Sequence, residues 1–75
     1  MRTIADVTAA LRAKGYPLEL VRGNGYLYFV YDDIPANIWE TKSIAVCYFK
    51  HQTPAQWVED GEQFIKELKE AGVIK

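Results

Sequence analysis

The chain has 75 residues, with nine Lys plus Arg against ten Asp plus Glu and a formal charge of -1, so it carries no general attraction to phosphate backbones or anionic lipid. Its length suits one domain, 1–75, near the lower limit at which a hydrophobic core holds a chain together unaided. The single cysteine, Cys47, excludes an internal disulfide, the single histidine, His51, leaves structural zinc short of its four ligands, and no apolar run is long enough for a membrane span; nothing resembles a secretory signal, and a reducing, cytoplasmic setting is expected.

Thr3 is placed to cap a first helix over about 3–14, with Asp6 reaching back to it in a variant of the capping box. Ile4, Val7 and Leu11 share one side at helical spacing. Gly15 and Pro17 then stop the helix, since glycine accepts the left-handed conformation past the last turn and proline cannot continue it.

Gly23-Asn24-Gly25 lies between two runs of strand-forming residues, a strong hairpin signal because both residues of an Asn-Gly turn must tolerate positive φ. Strands are expected over about 18–22 and 26–31. Leu18, Leu20, Leu27, Phe29 and Tyr31 share a face in either turn register and form the expected core side. Glu19, Val21, Tyr26, Tyr28 and Val30 lie on the other, so the second strand is apolar on both faces.

Residues 32–42 read as a connecting loop, with Pro35 blocking strand and helix alike and Asp32-Asp33 as solvated turn carboxylates. Those two acids fall short of the roughly six oxygens a hard divalent cation needs. Trp39, in this polar stretch, is expected to tuck over an edge of the core, the alternative being a contact for a partner. A third strand is expected over about 43–49, with Ile44, Val46 and Tyr48 inward and Ala45, Cys47 and Phe49 joining the tyrosines outside.

A second helix is expected over about 54–71, with Thr53 as cap, Pro54 in the first position and Gln56 completing a capping box. Trp57, Gly61, Phe64 and Leu68 form its stripe, widened by Val58 and Ile65; Gly61 implies either close approach or a bend, and Glu62 can pair with Lys66 one turn on. The result is an α+β fold of order α-β-β-β-α, a three-stranded antiparallel meander with both helices on the leucine-rich face.

Enzyme signatures are nearly absent, and no cofactor is implied. Cys47 and His51, if both extended a strand, would stand roughly 13 Å apart, beyond hydrogen-bond reach. The glycine loop precedes a strand, whereas phosphate-binding glycines precede a helix. The remaining constellation is the outer sheet face, Val21, Tyr26, Tyr28, Val30 and Cys47, with Trp39 as an additional contact. Tyrosines there suit a protein interface, self-association included, or stacking on unpaired bases, or simply a half-exposed strand. Arg22 and Lys42 are poorly placed to bring cations between the rings, which favours a protein partner or homodimer over single-stranded nucleic acid.

The order helix, three strands, helix resembles the double-stranded RNA-binding domain in topology. In that family the second helix opens with a lysine-rich segment that grips phosphates, where Thr53-Pro54-Ala55-Gln56-Trp57-Val58-Glu59-Asp60 is acidic. In motif, Lys14-Gly15-Tyr16, Leu20-Val21-Arg22-Gly23-Asn24-Gly25-Tyr26-Leu27-Tyr28-Phe29, Trp39, Ser43-Ile44-Ala45-Val46 and Gln56-Trp57 are similar to small uncharacterised proteins of prophages, plasmids and bacterial genomes. That resemblance implies a mobile-element accessory protein, with inhibition of a host factor as the analogy.

Overall fold

A computed structural model describes residues 3–44 and 48–74 of the chain. Thr3 caps α1 (Ile4–Ala13) through a reciprocal pair: the Asp6 amide donates to Thr3 Oγ1 and the Thr3 amide to Asp6 Oδ2, each at 3.1 Å. At the other end Gly15, at φ 89°, lets its own amide reach Arg12 O and that of Tyr16 reach Leu11 O. These are the two bonds of a Schellman ending, so the last carbonyls of the helix are satisfied.

β1 (Leu18–Arg22) and β2 (Leu27–Asp33) form the expected hairpin, with Leu18 opposite Tyr31 and Arg22 opposite Leu27. The Gly23 amide donates to Tyr26 O at 2.8 Å and closes a two-residue loop, Asn24-Gly25. Only the second loop residue has positive φ, 82° at Gly25, which is the pattern of a type II turn and not the doubly positive one that Asn-Gly suggests.

The third strand is not where its sequence suggests. β3 spans Ile38–Ile44 and pairs antiparallel along the whole of β2, in sheet order β1-β2-β3. Residues 34–37 are a tight turn: the Asn37 amide donates to Ile34 O at 3.0 Å, and Asp33 Oδ1 accepts from the Ala36 amide at 3.3 Å. Pro35 holds the turn position that its fixed φ suits, and Asn37, at φ 56°, takes the left-handed one that asparagine tolerates. Ala45, Val46 and Cys47 lie outside the described residues. Tyr48 is exposed, against its expected inward place, and Phe49 begins a short 3-10 turn (Phe49–His51) that folds toward the core and away from the outer face.

α2 (Pro54–Glu70) starts on Thr53, whose Oγ1 accepts from the Gln56 amide at 3.1 Å. The reciprocal half of that box does not form, because Gln56 Nε2 turns forward to Asp60 Oδ1 at 3.0 Å. Glu62 reaches Lys14, the residue that ends α1, at 3.2 Å instead of Lys66, an exposed pair of the kind that contributes about 0–1 kcal/mol.

Val7 and Leu11 of α1, Trp57, Phe64, Ile65 and Leu68 of α2, and Leu18, Leu20, Leu27, Phe29 and Tyr31 of the sheet make one buried cluster, so both helices sit on the predicted core face. Trp57 anchors it. Its ring stacks on Phe49 at 5.9 Å and meets Phe29 edge-on at 6.4 Å, while its Nε1–H donates to Phe49 O at 2.7 Å. The buried indole therefore keeps a polar partner, and the 3-10 turn is tied to the core by the same side chain. Gly61 marks close approach: a Cβ there would lie 2.8 Å from Leu11 Cδ1 and 3.3 Å from Phe29 Cε1.

Candidate functional site

Along β2 the buried Leu27, Phe29 and Tyr31 alternate with Tyr28, Val30 and Asp32. Pairing extends that parity across the sheet: Val21 and Ser43 flank Tyr28, Glu19 and Thr41 flank Val30, and Trp39 stands opposite Asp32. With both helices behind the sheet, these side chains form an outer face on which no helix or strand among the described residues packs.

The face is apolar along a diagonal. Tyr26 and Tyr28 place their rings 5.7 Å apart at 37°, with Val21 and Val30 beside them and Trp39 at the far end. Tyr26 folds over the backbone of Gly23, where a Cβ would lie 2.8 Å from its Cζ. It remains 41% exposed, and Trp39 64%. Trp39 therefore does not tuck over the core. Its position on the outer side of β3 follows from the strand starting at Ile38, and it joins a surface to which the sequence had added it only as a further contact. Of the predicted face residues, Val21, Tyr26, Tyr28 and Val30 are brought together; Cys47 falls outside the described residues.

The charged side chains on the described outer face are both carboxylates, Glu19 and Asp32. Arg22 and Lys42 lie on the parity of the helices, opposite Leu27 and Phe29. Lys42 is engaged there by Glu67 of α2, and the hydrogen bond from its ammonium holds the Glu67 carboxyl below its ordinary pKa.

The groups considered for chemistry are dispersed. Asp32 faces outward, while Asp33, on the helix side, accepts from the Tyr31 hydroxyl at 3.5 Å. Burial raises the Tyr31 phenol above its ordinary pKa, and the charge and hydrogen bond of Asp33 add to that. His51 is exposed and meets the Tyr48 ring edge-on at 5.0 Å. Among the described residues no three His, Cys, Asp or Glu side chains are grouped to hold a metal ion.

A groove of about 660 Å³ lies at the C-terminal ends of both helices, with Tyr16, Tyr31, Ile38 and Ile74 along it and Asp33 and Lys69 as its charged groups. Its residues come from separate segments with no shared periodicity, so no sequence pattern points to it. No helix among the described residues is long and apolar enough to cross a membrane. No family model matches the chain, and neither a curated protein nor a solved structure matches it either.

Proposed function

We propose that the chain is a non-enzymatic interaction module of the cytoplasm that binds a protein partner through Val21, Tyr26, Tyr28, Val30 and Trp39. The supporting observation is the aromatic diagonal on the face opposite both helices. Aromatic side chains offer large, rigid contact area with few rotors to immobilise, and they are enriched at protein interfaces for that reason. Glu19 and Asp32 at the margins favour a partner whose apolar strip is flanked by Lys or Arg, and they disfavour a phosphate backbone. The motif likeness to prophage and plasmid proteins supports an accessory role on a mobile element.

The test is paired capture with the wild-type chain and a Tyr28→Ser, Trp39→Ser variant. Both side chains lie outside the core, so the variant should keep the far-UV circular dichroism and melting temperature of the wild type and lose the captured protein. An unchanged set of captured proteins overturns the reading. Titration with labelled single-stranded oligonucleotides at low salt covers the alternative; binding there that Trp39→Ser abolishes would replace a protein partner with nucleic acid.

A further inference from the structure

The two edges of the sheet are treated differently. Hydrogen-bonded pairs alternate along an antiparallel ladder, and the bonds Gly23 N–H to Tyr26 O and Asp32 N–H to Pro17 O set the phase. Leu18 and Leu20 therefore turn their backbone groups away from β2, and α1 meets them. Arg12 Nε donates to Leu18 O at 3.3 Å, and the Leu20 amide donates to Thr8 Oγ1 at 3.0 Å. The outer edge of β1 is thus engaged by its own helix at Leu18 O and the Leu20 amide.

By the same phase Leu27, Phe29, Tyr31 and Asp33 bond to β3, and the backbone groups of Trp39, Thr41 and Ser43 point out of the sheet. Among the described residues no side chain or backbone takes them up. An open edge of this kind is a template for another strand.

We propose that the added strand is β3 of a second copy, antiparallel, with Thr41 on the two-fold axis, so that two three-stranded sheets become one of six. The sequence of β3 is self-complementary about that residue. Thr41 meets Thr41, Trp39 meets Ser43, Glu40 meets Lys42 and Ile38 meets Ile44, each pair occurring twice except the first. The phase agrees with the register, because the pairs that must exchange backbone bonds are those of residues 39, 41 and 43.

Charge selects the occupant. Glu40 and Lys42 lie on the helix side of an edge strand, where an apolar strand from another protein would leave Glu40 without a cross-strand partner and Lys42 with only Glu67 of its own α2. A second copy presents Lys42 to Glu40 and Glu40 to Lys42, while Ile38 and Ile44, partly buried against the core, meet at each end. The edge pairing stands on the backbone and the charges of β3, independently of what the outer face binds.

Sedimentation equilibrium of the full chain should show a concentration-dependent dimer. Glu40→Lys and Lys42→Glu each turn two attractive pairs into repulsive ones, so each alone should weaken the dimer about tenfold or more, and an equimolar mixture of the two should restore it as a heterodimer. Thr41→Cys in a Cys47→Ser background should oxidise to a linked dimer, since paired residues in this register stand about 5.5 Å apart at Cα, within disulfide reach. This second arm does not depend on Lys42→Glu folding beside Glu67. A chain that stays monomeric overturns the proposal. So does a dimer that resists both charge variants and fails to crosslink at residue 41, and its loss on Tyr28→Ser would place self-association on the outer face.

Discussion

Gly61→Ala puts a single methyl group where α2 comes closest to the rest of the core. Its carbon would lie 2.8 and 3.0 Å from the two Leu11 methyls and 3.3 Å from Phe29 Cε1, against an ordinary carbon separation of about 3.5–4.0 Å. Leu11 and Phe29 are both 0% exposed, and Phe29 is backed by Trp57, so neither has free space to enter. Overpacking of this kind costs about 1–3 kcal/mol. Replacing glycine by alanine in a helix interior returns about 1 kcal/mol. The variant should therefore be destabilised by about 0–2 kcal/mol, a drop of up to roughly 15 °C in melting temperature for a chain of this size. A cycle with Leu11→Val identifies the cause: a side chain one carbon shorter draws its methyls back and should relieve the clash, giving a coupling of about 1 kcal/mol in urea unfolding. Capture of a partner on the outer face should be unaffected below the melting transition. An alanine variant stabilised by the full helix-propensity gain, with no coupling to residue 11, would refute the close-approach argument.

Tyr31 keeps its proton to higher pH in the folded chain than in the unfolded one, because burial raises its pKa and Asp33 adds to the effect. Above the ordinary phenol value, near pH 10, the unfolded state then binds fewer protons than the folded state, so stability falls as pH rises through that window. Denaturant melts between about pH 9 and 11 should show this slope in the wild type and a shallower one in Tyr31→Phe; equal slopes would refute it. Gly23→Ala places a Cβ 2.8 Å from Tyr26 Cζ, and because Tyr26 is 41% exposed the ring should swing away. Stability should change by less than about 1 kcal/mol, while the ring contact between Tyr26 and Tyr28, read from aromatic NMR shifts, is lost; retention of that contact contradicts the packing described.

Where side-chain periodicity and local capping agreed, the chain was legible. The leucine-rich parity through Leu18, Leu20, Leu27, Phe29 and Tyr31 identified the buried face, and Thr3-Asp6 and Thr53-Pro54 marked both helix starts. The third strand departs from its expected place for a physical reason. An edge strand shares less of the core, so Glu40 and Lys42 can occupy its inward side, Lys42 extending to Glu67 at the rim. That removes the alternation by which strands are recognised, and Pro35 then makes a tight turn resemble the middle of a long loop. Trp39 shares in that displacement, because its outward position depends entirely on the strand beginning one residue before it.

The alternation of β2 also separates stability from recognition. Leu27, Phe29 and Tyr31 are held by two helices, while Tyr28 and Val30, one residue away on the same backbone, touch neither. Substitutions on one set should be read in melting temperature and those on the other in binding, with little exchange between them. The same logic distinguishes the two surfaces proposed for association. The outer face depends on ring area and should respond to Tyr28→Ser whatever the salt, whereas the β3 edge depends on Glu40 and Lys42 and should weaken as salt screens them. A dimer with no salt dependence at all would leave the edge charges without the selecting role assigned to them here.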